Sequence, residues 1–240
     1  MLNKAVKTLS LSLVLAAGSA QATLVDYYDT IANGQAQFTT TVTGAGGSVS
    51  SETLTGLSGG SSWSLTDFTI TTTDGGSEGV YGTGQNNSTG QMIGMNPADL
   101  DGSGTGVGSG LTFTFNSAIN ALGFEVGDWA TCCFPSELFI SFDGGAVVKV
   151  ASANDANDNP ATAAGGARGD SFFIGAIDDS STFTTVTFYG NGFGEFLTAG
   201  GTIMYSSIAV GALPVTEPST LAILALSLIG FSASRRNKAK

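Results

Sequence analysis

The sequence predicts an all-β protein: an antiparallel β-sandwich of jelly-roll type, flanked by an N-terminal signal peptide and a short C-terminal transmembrane helix. Three observations predict it. Apolar and polar residues alternate with period two in many short runs, the signature of half-buried strands. Gly, Ser, Asp and Asn clusters separate those runs, supplying the turns of a sandwich. Between the two terminal segments no stretch shows a convincing helical period, and eight to ten strands at this spacing fit a two-sheet fold.

The elements follow in chain order. Lys4 and Lys7 make a positive start, Leu9 to Ala17 an apolar run, and Ala20-Gln21-Ala22 a small-x-small cleavage site. These mark residues 1–22 as a secretory signal peptide, handled by the Sec translocon and signal peptidase. The ectodomain is expected over 23–212, its first strands at 37–42 and 63–73. Leu111, Phe113 and Phe115 alternate cleanly with threonines, and Leu122, Phe124 and Val126 continue at the same spacing. Leu138, Ile140 and Phe142 do likewise, followed by 147–150, 172–177, 184–189 and 203–210. Two Gly- and Asn-rich segments, 75–110 and 152–169, read as long loops, where sandwiches carry function.

The C-terminal segment 213–240 has three parts. Pro218 lacks an amide hydrogen and holds Glu217 out of helical geometry, so the chain there is extended. Ser219 or Thr220 can cap a helix over 221–233, a run free of charge. Thirteen residues rise only about 20 Å, short of the roughly 30 Å hydrocarbon core. Arg235, Arg236, Lys238 and Lys240 follow at 235–240 and can hold that end at the cytoplasmic face. A marginal, removable anchor fits this pattern.

On these residues the C-terminus resembles the PEP-CTERM sorting signal of Gram-negative bacteria, the tag read by the membrane protease-transpeptidase exosortase. Val215, Glu217, Pro218, Ser219 and Thr220 match its core and Leu221 opens its helix, with Thr216 standing where the first proline is usual. The run Ala121-Leu122-Gly123-Phe124-Glu125-Val126-Gly127-Asp128, with the later Phe173-Ile174-Gly175 and Val186-Thr187-Phe188, is similar to the body of many such proteins. Many relatives end with an Asp where this chain has Ser206-Ser207. The resemblance implies an exported, non-enzymatic surface or matrix protein. It would be anchored transiently in the inner membrane, processed by exosortase, and associated with exopolysaccharide or biofilm at the cell surface or beyond.

Composition sets bounds on the chemistry. Of eight basic residues only Lys149 and Arg168 lie between residue 23 and Glu217, a stretch that holds all nineteen acids, so a body cut after Glu217 carries −17. Such a surface repels nucleic acid and attracts cations. With no histidine, most serine-hydrolase triads and most zinc sites cannot be built. A hydrolase working with carboxylates alone needs only paired acids, yet no nucleophile–base constellation stands out.

Several smaller motifs bear on a second reading, a calcium- or carbohydrate-binding module. Asp99, Asp101 and Ser103, with Gly102 and Gly104, match the first half of a calcium loop, but position 12 is Gly110, so the bidentate acid is missing. The competing reading is a Gly-rich turn with solvated acids. Asn154, Asp155, Asn157, Asp158 and Asn159 read as an Asx-turn cluster. Cys132 and Cys133 are adjacent in an oxidising compartment, and three states compete: a vicinal disulfide stapling a loop, intermolecular bridges, or reduced thiols. Trp129 can stack on a sugar ring or pack into the core. Arg168-Gly169-Asp170 is a chance tripeptide, and Asn86 and Asn87 form weak glycosylation sequons. The acids Asp178 and Asp179 are expected on opposite strand faces or solvated in a turn.

Overall fold

A computed structural model describes residues 24–96, 110–191 and 195–213. Its elements run β1 (Leu24–Thr30), α1 (Ile31–Gly44), β2 (Ser50–Thr53), β3 (Ser62–Ser64), β4 (Phe68–Thr72), β5 (Val80–Tyr81), β6 (Met92–Met95) and β7 (Leu111–Ile119). They continue β8 (Ala121–Gly127), β9 (Ser136–Phe142), β10 (Val148–Ala153), α2 (Pro160–Ala163), β11 (Phe172–Asp178), β12 (Phe183–Gly190) and β13 (Leu197–Ser206). One antiparallel sheet has the order β1-β11-β8-β13-β6-β5, with β2 also on β13; the other runs β10-β9-β12-β7-β4-β3. From β6 to β13 the chain changes sheet at every connection but β9 to β10.

The alternation seen in the sequence is what closes the sheets on each other. Leu111, Phe113 and Phe115 point inward while Thr112 and Thr114 face out, and the Thr112 and Thr187 hydroxyls meet across strands at 3.1 Å. Aromatic rings bridge the layers: Phe113 stacks on Phe124 at 5.2 Å, Phe124 meets Phe188 edge-on at 4.9 Å, and Phe68 meets Tyr205 at 5.6 Å. Each ring removes a large apolar area from water, and the edge-to-face pairs add to it.

One expectation is overturned. Residues 37–42 are not a strand; they lie inside the fourteen-residue helix α1, so a helix exists where no helical period was apparent. Phe38 and Val42 share a strand face at i, i+4, but with Gly34 they also make one stripe of a helix. Threonine is a poor helix former, and the Thr39, Thr41 and Thr43 hydroxyls donate back to carbonyls four residues earlier at 2.8–2.9 Å. Tertiary burial decides instead. Phe38 and Val42 cover the outer face of the seven-stranded sheet, packing with Phe173, Ile177, Met204, Ile208 and Leu213. Gly34 permits the approach, since a β-carbon there would lie 2.7 Å from Phe173 Cβ.

Two smaller departures have local causes. The expected strand 63–73 is a hairpin of β3 and β4, pairing Trp63 with Ile70. The long loop 75–110 contributes β5 and β6 to the sheet edge.

Candidate functional site

Two ends of the sandwich carry the chemistry. At the first end, the chain leaves the body toward the sorting segment. Asn120, fully buried, receives the Ile208 N–H at 2.8 Å and donates to the Ile208 carbonyl at 2.9 Å. Asp179 Oδ2 accepts the Leu213 N–H at 2.8 Å, and its carbonyl accepts from Gly211 at 3.0 Å. Asp179 is therefore buried and structural, which corrects its expected solvated place. Segment 206–213 is tied to the fold through Leu213 by these bonds and by the burial of Ile208 and Leu213 beneath α1.

At the opposite end, residues 128–136 form a tightly held loop. Asp128, Ala130 and Cys133 all have φ near +60°, left-handed backbone that side chains adopt only when their surroundings enforce it. Glu195 supplies that enforcement. Fully buried, its carboxylate accepts the Thr131 N–H at 2.8 Å, the Ser136 hydroxyl, and the Ala130 and Cys132 N–H groups. Burial pushes the Glu195 carboxyl above its ordinary value, and the same hydrogen bonds pull against that shift. Asp128 is raised too, by desolvation. Cys132 and Cys133 are disulfide-bonded to each other in this loop.

Neighbouring segments buttress it. Trp129 is fully buried, 5.2 Å from Phe172 and 6.1 Å from Tyr28, so it packs in the core and presents no platform to a sugar. Asn159 caps α2 and donates to the Trp129 and Asp170 carbonyls. Asp155 and Asp158 form a reciprocal capping box over Ala156–Asp158, which makes the Asn-rich cluster a turn. Asp170 turns inward, accepting from Asn87 Nδ2 and the Ala167 N–H, both at 2.7 Å. The Arg-Gly-Asp tripeptide is thus not displayed as a recognition loop.

Another buried carboxylate, like Glu195, escaped the sequence reading. Glu125 points to the outer face of β8 and is fully buried beneath residues 88–90. It accepts the Thr89 N–H at 2.8 Å, the Thr89 hydroxyl, and the Thr202 N–H at 3.1 Å. Those bonds satisfy the irregular pairing where β13 shifts register between Gly200 and Met204. Desolvation raises the Glu125 carboxyl, opposed by the threonine bonds. The signal available was a lone acid in an otherwise apolar strand; Glu195, just before β13, is likewise a lone acid between Phe193 and Phe196.

Asp99, Asp101 and Ser103 lie outside the described residues, as do the signal peptide, the sorting residues Val215 to Thr220, the 221–233 run and the basic tail. Among the described residues no three acid or cysteine side chains converge on a metal site, and no helix is long and apolar enough to cross a membrane. Residues 214–236 match the family model for the PEP-CTERM protein-sorting motif, which begins one residue after Leu213. That motif marks an exosortase-processed protein that is exported, anchored transiently in a membrane and released outside the cell. No curated protein matches the chain.

Proposed function

We propose that the chain is a non-enzymatic exported protein whose jelly-roll body is delivered by exosortase to the cell surface or extracellular matrix, where it associates with exopolysaccharide. The sorting motif at 214–236 carries this reading. The strand orders support the jelly-roll assignment: β6-β13-β8-β11 in one sheet faces β7-β12-β9-β10 in the other. In this proposal residues 1–22 direct Sec export and are removed by signal peptidase. The 221–233 run then halts the chain in the inner membrane, and exosortase acts near Glu217-Pro218.

Removal of the tail takes away the apolar run and four cations together, leaving a body whose net charge of −17 keeps it soluble and off anionic lipid. The buried carboxylates support a structural rather than a catalytic role, since each is saturated by backbone and hydroxyl donors. The test is mass spectrometry of the exported protein from cells with and without exosortase. Loss of Arg235 to Lys240 only when exosortase is present is the expected result; their retention in the exported form overturns the proposal.

A further inference from the structure

A concave pocket of about 200 Å³ opens at the end of the sandwich from which the sorting segment departs, lined by Asp67, Phe115, Asn116, Ser117, Ile119 and Tyr205. Phe115, Ile119 and Tyr205 form a floor, each at most 8% exposed, while Asp67, Asn116 and Ser117 stand exposed around it. The Tyr205 hydroxyl donates to Asp67 Oδ2 at 2.5 Å, fixing the carboxylate over the floor. Desolvation, followed by that bond and the Asp67 charge, drives the Tyr205 phenol far above its usual range, so the hydroxyl stays a donor. Asn116 is held from below: its N–H donates to the Asp67 carbonyl at 2.9 Å and its Nδ2 to the Thr66 carbonyl at 3.1 Å.

These bonds leave an acceptor-rich rim. Among the described residues Asp67 Oδ1, Asn116 Oδ1 and Ser117 Oγ take no protein partner. A carboxylate, a carboxamide carbonyl and a hydroxyl above an apolar floor suit a ligand with several O–H donors and an apolar face. No cation lines the pocket, and the surrounding field is strongly negative, so an anionic ligand is repelled. The volume is below the roughly 300–1,000 Å³ of sites for drug-sized ligands, which limits the occupant to a single ring. A calcium ion fits poorly, since it takes about six to eight oxygens and Asp67 is the only carboxylate in the lining.

We propose that this pocket binds one uncharged pyranose unit of a glycan, its hydroxyls donating to Asp67 and Asn116 and its ring face resting over Phe115, Ile119 and Tyr205. The proposal rests on the reading of the body as a protein of the polysaccharide-bearing extracellular space. It also moves sugar contact away from the buried Trp129 to the opposite end of the molecule.

The test is saturation-transfer NMR on the exported protein with methyl glucoside, methyl galactoside, methyl N-acetylglucosaminide and glucuronate, with a separate calcium titration. At least one uncharged glycoside binds saturably in the millimolar range and glucuronate does not. Asp67→Asn and Asn116→Ala each weaken binding about tenfold, the loss of one hydrogen bond to a polar or charged group. Ser117→Trp, which fills the pocket from an exposed position, abolishes binding with the melting temperature unchanged. Absence of saturable binding by every uncharged glycoside, binding unaltered in all three variants, or calcium occupying the pocket instead overturns the proposal. The same sample's C-terminal mass tests the sorting reading independently, so correct processing without sugar binding sinks only the pocket.

Discussion

Two substitutions two residues apart decide whether 37–42 is the helix seen here or the strand its alternation suggested. On a strand, Phe38, Thr40 and Val42 share one face and all three are buried. In α1, Phe38 is fully buried against Phe173, with ring centroids 6.1 Å apart, while Thr40 faces solvent. Deleting a buried phenylalanine costs about 3–5 kcal/mol. The lower end applies to Phe38→Ala, because a single helix over a sheet can settle partly into the space. At about 2–4 °C per kcal/mol for a domain of this size, Phe38→Ala lowers the melting temperature by roughly 6–12 °C. Thr40→Lys replaces a poor helix former with a better one at an exposed site, a gain of a few tenths of a kcal/mol. Calorimetry on the exported protein reads both. A loss above about 2 kcal/mol for Thr40→Lys, the cost of burying an unpaired polar head, would refute the helical placement. So would a Phe38→Ala loss below about 1 kcal/mol, since no fully packed ring is removed so cheaply.

The pH dependence of stability and the hold on the exit segment give two further expectations. Glu125 and Glu195 have folded-state carboxyls raised chiefly by desolvation, so their contribution is fully present below the unfolded carboxylate value and is lost as pH rises through the folded one. The melting temperature therefore rises as the pH falls toward the ordinary carboxylate range, and Glu125→Gln flattens that slope. Glu137 runs the opposite way because Lys149 lowers it, but this exposed pair contributes little. A melting temperature that falls throughout that acidification contradicts the assignment. Asn120→Ala strands the buried Ile208 N–H and carbonyl, costing about 1–3 kcal/mol. Limited proteolysis followed by mass spectrometry then finds new cuts within 207–213; protection equal to the parent's rejects Asn120 as the anchor.

The sequence by itself determined whatever depends on neighbours along the chain. The sorting segment is legible because its parts are local: a proline that blocks helix, an uncharged run, and a cluster of cations. The strands from β7 to β12 were legible because period two places Leu111, Phe113 and Phe115 on one face whatever lies opposite; the expected strand 203–210 caught only the end of β13, which runs Leu197–Ser206. The Asn-rich turn was legible because Asp155 and Asn159 cap the backbone beside them.

Only the tertiary structure decided what depends on a partner far along the chain. The segment 37–42 meets both periodicities, and the unfilled outer face of β11 and β13 selects the helix. Asp179 reads as a solvated acid until Leu213, 34 residues later, brings its N–H to it. Glu125 and Glu195 are single acids in apolar runs; their burial is tolerable only because Thr89, Thr202, Thr131 and Ser136 arrive with donors from elsewhere. Alternation and tags are properties of the chain, whereas a buried charge and its donors exist only once distant segments have met.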